Sequence, residues 1–193
     1  MADELAETLK KYGVLMEGHF LLTSGKHSDR YFEKFRILEH PALCELFAKR
    51  IAERFKGAGV TVVAGPTTGG VIIAYEVARQ LRCRCVIAEK AQTGRKIGRG
   101  FRLGSEDRVL VVDDVLTTGG SISETLAALA QFPSQVVGIA VFIDRSAGVK
   151  FDRPFFSVYQ QAIQNFAPDQ CPLCQSGVPL QEPGHSEARP LDR

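Results

Sequence analysis

The chain has 193 residues, 45 % of them apolar, and a formal net charge of +2. That size and composition suit one globular domain, or one domain with a small appendage, with enough apolar surface for a real core. The charge is too small for a general nucleic-acid or membrane-surface binder, and no stretch approaches the roughly 20 apolar residues of a membrane span.

In chain order, Ala2 to Tyr12 has helical spacing, with Leu5, Leu9 and Tyr12 on one side and Gly13 as its stop. It alternates charged with apolar residues and has no hydrophobic signal core, so a cytoplasmic protein is expected. VLMEGHFLLTSGKHSDRYFEKF then reads as short strands around a turn at Thr23-Ser24-Gly25. His40-Pro41 opens a helix to about Lys56, with Leu43, Phe47, Ile51 and Phe55 at spacings of four. After it, apolar runs alternate with helical segments. The runs are Val60–Ala64, Cys83–Ala88, Val109–Val112, Gln135–Ile143 and Phe155–Tyr159; the helices run from about Gly70 to Leu81 and, after DDVLTTGGS, to about Gln131. Unbroken Val and Ile runs alternating with amphipathic helices define an α/β fold with a parallel sheet covered on both faces. A ligand then sits beyond the carboxyl ends of the strands, where GPTTGG, DDVLTTGGS and IDRSAG fall. One domain is expected: a small N-terminal hood over about 12–40, a core over about 41–165, and an irregular tail over about 166–193, loose from Gln175 on, where Pro, Gly and charge are dense.

VLVVDDVLTTGGS carries the chemistry. A strand delivers Asp113 and Asp114 to its end, and the turn Thr117-Thr118-Gly119-Gly120-Ser121 leads into a helix. Backbone N–H groups at such a helix start form an anion nest, and the glycines let the backbone approach a phosphate closely. Two acids beside a bare phosphate would repel it. They fit a ligand that also carries neutral hydroxyls, as a ribose 5-phosphate does. Neither the P-loop GxxxxGK[ST] nor the dinucleotide G-x-G-x-x-G is present.

This segment resembles the signature of the type I phosphoribosyltransferases, which bind phosphoribosyl pyrophosphate (PRPP). The resemblance implies that Asp113 and Asp114 hold the ribose hydroxyls and that Val115 and Leu116 lead into a 5-phosphate loop over Thr117–Ser121. From about Leu5 to Leu180 the chain is similar to the orotate phosphoribosyltransferases in particular. Phe20, Leu22, Ser24, Gly25 and Ser28 match that family's hood pattern F-x-L-x-S-G-x-x-S. Pro66, Thr67, Thr68, Gly69 and Gly70 stand at its pyrophosphate loop. Arg145 of IDRSAG, together with Thr117, matches its orotate contacts, and a guanidinium suits a carboxylate-bearing base. CPLCQSGVPL is similar to a tail found in one bacterial and archaeal branch. Two positions depart: Thr23 stands where many members have a hood lysine, and AEKAQTGRKIGRGFR stands where well-known members have an Arg-Lys-x-x-Lys-x-His loop. There Lys90 matches, Glu89 replaces the arginine, no histidine follows, and Arg95 and Lys96 are the expected substitutes.

The implied activity is transfer of the phosphoribosyl group from PRPP to orotate, giving orotidine 5′-monophosphate and pyrophosphate in pyrimidine biosynthesis. Lys90, Asp113 and Asp114 are the implied catalytic residues, and Mg²⁺ is the implied cofactor, bound mainly through PRPP with no dedicated protein ligands. A homodimer is implied, with the cationic loop 89–102 shared across subunits and neither nucleic acid nor membrane as partner. The alternatives are another PRPP-dependent transferase acting on a purine or uracil, or a non-catalytic PRPP-sensing regulator. Cys171-x-x-Cys174 has half the ligands of a zinc site, with His185 as the only nearby extra, so incidental thiols are expected. His19, His27 and His40 show no ligand spacing; His27 is expected near the hood and the other two are expected to be structural.

Overall fold

The computed structural model describes residues 2–161 and 163–183. The elements are α1 (Ala2–Lys11), β1 (Leu15–Leu21), β2 (His27–Phe32), α2 (Phe35–Glu39), α3 (Pro41–Phe55), β3 (Val62–Pro66), α4 (Gly69–Leu81), β4 (Arg84–Lys90), β5 (Arg95–Ile97), β6 (Arg108–Leu116), α5 (Gly120–Leu129), β7 (Gln135–Asp144), β8 (Phe155–Gln160), β9 (Asn165–Phe166) and α6 (Pro172–Gln175). They fall into two compact units: Leu38–Ala162, and the two stretches up to Ile37 and from Ile163 onward. Among the described residues no helix is long and apolar enough to cross a membrane.

The larger unit is a six-stranded sheet in the order β5-β4-β3-β6-β7-β8. All neighbours pair in parallel except β4 with β5. The central strands are buried on both sides; Val62 through Pro66 and Val109 through Asp114 are buried without a break. This is why they read as continuous apolar runs rather than as an alternation. α3 buries Leu43, Phe47, Ile51 and Phe55, its expected stripe, with Pro41 in the first turn where a missing N–H costs nothing. Phe47 meets Phe142 of β7 at 5.2 Å between ring centroids, and Phe55 lies over Gly138, which has no room for a side chain. α5 contacts β3, β5 and β6. The chain runs from β3 outward to β4 and then returns to place β6 on the other side of β3, so the strand order reverses between β3 and β6. A parallel sheet opens its ligand crevice at such a reversal.

Two differences from the sequence reading stand out here. β6 runs on to Leu116, so Asp113 and Asp114 lie within a hydrogen-bonded strand, Asp113 opposite Val141. The glycine- and lysine-rich segment after Lys90 also contains β5, which pairs antiparallel with β4: Ala88 with Ile97, Glu89 with Lys96, Lys90 with Arg95.

The smaller unit holds the hairpin β1-β2 with β9 on the far side of β2. One extra residue in β1 between Glu17 and Phe20 makes a bulge beside His19. The stretch expected as an irregular tail is ordered through Gln181. Phe166 pairs with His27, the Gln181 N–H donates to the His19 carbonyl at 2.8 Å, and the Leu21 N–H donates to the Gln181 carbonyl at 2.8 Å. Pairing with a strand edge overrides the polar composition of this stretch, because exposed edges of β1 and β2 supply unpaired backbone groups. His185 lies outside the described residues.

Candidate active site

The carboxyl ends of β3 and β6 bring the GPTTGG and DDVLTTGGS segments together. Asp113 and Asp114 are buried, at 6 % and 7 % exposure. Each is braced by the backbone: Asp113 Oδ1 accepts the Asp114 N–H at 2.8 Å, and Asp114 Oδ1 accepts the Val115 N–H at 2.7 Å. A buried carboxylate needs such donors, since its desolvation is otherwise costly. Gly69 and Gly70, at the start of α4, face this pair. A Cβ on Gly69 would collide with the Asp114 carboxylate, and one on Gly70 would stand 3.1 Å from Asp113 Oδ1 and 2.6 Å from Pro66 Cδ. The Thr67–Thr68 peptide just before them is cis.

Beyond Val115 and Leu116, Thr117, Thr118 and Gly120 are exposed at the start of α5. Gly119 turns the chain with φ +82°, a conformation in which a side chain would be strained, and a Cβ there would also press on Val149. The first N–H groups of the ten-residue α5 therefore stand unused by the helix. Next to this turn, β7 ends at Asp144, and the Arg145 N–H donates to the Leu116 carbonyl at 3.1 Å. Arg145 and Thr117 thus leave adjacent strand ends together. The Asp144 carboxylate accepts the Ser146 N–H at 2.8 Å and the Gln160 amide at 3.3 Å.

Arg95 joins the two loops. Its Nη1 donates to the Thr67 carbonyl and hydroxyl, each at 3.3 Å, and to the Ala88 carbonyl at 3.0 Å; its Nη2 donates to Ser121 Oγ at 3.1 Å. Its Nε is buried, has no hydrogen-bond acceptor, and lies 3.4 Å from Glu124 Oε2. The pleat sends consecutive side chains to opposite faces. Arg95 therefore looks toward α5 while Lys96 goes with its cross-strand neighbour Glu89, and the two expected substitutes are separated. Glu89 holds Arg99 at 2.6 Å and, with Thr67, Thr68, Ile72 and Ile87, lines a cleft on the other side of the hairpin. Lys90 and Lys96 are exposed.

The sequence reading missed one constellation, in the smaller unit. His19, His27, Cys171 and Cys174 present ligand atoms that all lie within 4.8 Å of one another. The thiols and histidines expected to be incidental or structural, without ligand spacing along the chain, are thus brought together in space. The signal was there: a histidine on each leg of a predicted hairpin, plus a C-x-x-C pair.

A parallel sheet whose strand reversal carries a paired-acid strand end, a glycine loop against those acids and a threonine- and glycine-rich helix start defines a phosphoribosyltransferase. The phosphoribosyl transferase domain family matches residues 36–174. An orotate phosphoribosyltransferase of Thermoanaerobacter sp. (strain X514) is 44 % identical over 183 residues, 94 % of this chain and 96 % of that protein. The crystal structure of orotate phosphoribosyltransferase from Aeropyrum pernix is similar at a TM-score of 0.65 and 28 % identity, covering 81 % of this chain and 93 % of that one. An adenine phosphoribosyltransferase from Rhodothermus marinus shares the fold at a TM-score of 0.63 and 22 % identity, over 82 % of this chain and 99 % of that one. The chain belongs to the orotate phosphoribosyltransferase family.

Proposed function

We propose that this chain transfers the phosphoribosyl group of PRPP to orotate, forming orotidine 5′-monophosphate and pyrophosphate. The observation that carries the reading is the closure of Gly69 and Gly70 onto the Asp113–Asp114 pair, which sets a pyrophosphate loop against ribose-binding acids with no side chain between them. The 5-phosphate lies on the Thr117–Ser121 turn, where exposed hydroxyls and unused helix N–H groups converge. Asp113 and Asp114 take the ribose hydroxyls. Arg145 and Thr117 take the base, with the guanidinium on its carboxylate. The fold is common to transferases for other bases, so the base is chosen by these last two contacts and not by the sheet.

In the reaction the bond from ribose C1 to the pyrophosphate oxygen breaks, the bond to orotate N1 forms, and N1 gives up its proton. Negative charge grows on the leaving pyrophosphate and positive charge on the ribose ring. The two carboxylates stabilise the ring, and cationic groups over the Pro66–Gly70 loop stabilise the leaving group. Arg95 serves here by locking Thr67 to Ser121. Lys90 covers the pyrophosphate as a loop cation. The Asp113 and Asp114 carboxylates offer hard oxygens compatible with Mg²⁺, which would be bound mainly through PRPP beside them. When bound, Mg²⁺ neutralises pyrophosphate charge.

The protein acts as a homodimer. Ile72 and Tyr75 on α4 are 46 % and 66 % exposed, an apolar pair on a helix face that suits a second copy. None of the five cysteines forms a disulfide, which fits a reducing cytoplasm. The test incubates the protein with PRPP, Mg²⁺ and a panel of orotate, uracil, adenine, guanine and hypoxanthine. Pyrophosphate release with orotate alone is the expected result. Release with another base would assign the chain to that base, and release with none would leave a PRPP-binding regulator.

A further inference from the structure

Four side chains from both ends of the chain meet in the smaller unit. His19 comes from the bulged part of β1, His27 from the first position of β2, Cys171 from the residue before α6 and Cys174 from within it. His19 and Cys171 are 152 positions apart, so no local turn explains the encounter. His19, His27 and Cys171 are buried, at 1 %, 6 % and 0 % exposure. All four point one donor atom at a common centre. His19 Nε2 is 3.0 Å from His27 Nδ1, 3.5 Å from Cys171 Sγ and 3.7 Å from Cys174 Sγ, and His27 Nδ1 is 3.3 Å from Cys174 Sγ.

These distances can be compared with a metal tetrahedron. With Zn–N of about 2.05 Å and Zn–S of about 2.3 Å, a tetrahedral angle gives nitrogen–sulfur edges of about 3.6 Å and a nitrogen–nitrogen edge of about 3.3 Å. The four edges given above fall within a few tenths of an ångström of those values, and no ligand atom is more than 4.8 Å from another. The outer shell agrees. His19 Nδ1 lies 2.7 Å from the Val178 carbonyl, so it carries the proton and leaves Nε2 with a lone pair for the centre. Facing the two imidazoles, the two thiols gain little as neutral neighbours, because sulfur is a weak donor and acceptor. A divalent cation among them would make all four favourable.

We propose that His19, His27, Cys171 and Cys174 bind one Zn²⁺ as a closed structural site. Two thiolates and two imidazoles in a tetrahedron suit zinc over magnesium or calcium, which prefer oxygen. Four protein ligands leave no open position for substrate, so the ion staples and does not catalyse. What it staples is the hairpin β1-β2 to the segment after β9. This unit has roughly 70 residues and is below the size at which a hydrophobic core alone is usually enough. The other three cysteines, Cys44, Cys83 and Cys85, belong to the larger unit and lie outside this cluster.

The test uses the full-length protein without an affinity tag. Elemental analysis after purification in metal-free buffer is expected to give about one zinc per chain. Removing it with chelator should lower Tm and expose two further thiols to a colorimetric reagent; adding Zn²⁺ back should reverse both. Co²⁺ in its place should give the visible absorption of a tetrahedral thiolate site. Cys171→Ser/Cys174→Ser should lose the metal, whereas Cys83→Ser/Cys85→Ser should keep it. If the double variant at 171 and 174 fails to fold, the chelator and cobalt measurements on the unaltered chain still decide. Apo protein that neither binds added Zn²⁺ nor changes its Tm would overturn the proposal. So would a Cys171–Cys174 disulfide in protein purified under reducing conditions, or zinc that persists in Cys171→Ser/Cys174→Ser.

Discussion

Gly69 and Asp114 are in such close contact that a single methyl group cannot stand between them: a Cβ on Gly69 would overlap Asp114 Oδ2 and lie 3.1 Å from its Cγ. The carboxylate is held from its other side by the Val115 N–H, so it cannot retreat without giving up that bond. Gly69→Ala is therefore expected to displace the acid. A loss in kcat/KM of tenfold or more, with a stability loss of about 1–3 kcal/mol, is the expected outcome. Steady-state kinetics and thermal melting measure the two, and unaltered kinetics would show that Asp114 does not need its present place.

Asp113→Asn and Asp114→Asn test the acids directly. Asparagine keeps an oxygen to accept the Asp114 and Val115 N–H groups, so the strand end should survive. The charge is lost, and with it the grip on hydroxyls and on the cationic ribose. Each variant should lose roughly ten- to a hundredfold in kcat/KM, since a charge-assisted contact contributes about 1.5–3 kcal/mol. Wild-type melting with wild-type activity in the double variant would remove both residues from the mechanism.

The parallel sheet, its strand runs and the acid–threonine–glycine segment were all legible in the sequence, because each follows from a local rule. Buried parallel strands are uniformly apolar, and a helix start that binds phosphate needs small and hydroxylated residues. β5 was not legible. Arg95, Lys96 and Ile97 carry no strand pattern, and they become a strand because the edge of β4 offers them backbone partners. The role of Arg95 was visible only as charge; its selection over Lys96 comes from the pleat, which depends on a register that composition does not encode. His19 and His27 escaped for a similar reason. Their partners lie at the opposite end of the chain, and only the pairing of β9 with β2 brings them near.

Arg145→Ala should raise the KM for orotate by roughly ten- to a hundredfold and leave the KM for PRPP close to its starting value. The backbone bond from Arg145 to Leu116 does not involve the side chain, so the strand end should be kept. Equal effects on both substrates would make Arg145 a residue of general architecture.

The hairpin cations should divide by face. Arg95→Ala removes the tie between Thr67 and Ser121 and should reduce both PRPP affinity and kcat. Lys96→Ala, on the opposite face, should have the smaller effect. Lys90→Ala should lower kcat more than PRPP affinity, because contacts to the leaving group strengthen as its charge develops. Mixing Lys90→Ala with Asp113→Asn/Asp114→Asn after subunit exchange should recover activity if the loop acts across the dimer. Proven heterodimers without recovery would place it over its own subunit's site.

Asp107 gives a pH signature away from the site. Its carboxylate is held below the usual range, first by the Arg84 guanidinium and then by the Gly104 N–H. A depressed folded value contributes stability above the unfolded value of about 3.9 and loses it as pH falls through the lower folded value. Arg84→Met should therefore shrink the fall in Tm between neutral pH and pH about 3. An identical acid profile in the variant would show that the pair adds nothing to stability.

The smaller unit takes its strands from both ends of the chain, with β9 and α6 following the entire larger unit. On the ribosome, β1 and β2 are made first and must wait as a bare hairpin, which is marginal in water. The larger unit, by contrast, has all its strands before Ala162 and needs nothing that follows to complete its sheet. A chain released early would thus carry a folded sheet and an unsatisfied N-terminal hairpin. Its defect would show at the end that was made first, far from where synthesis stopped.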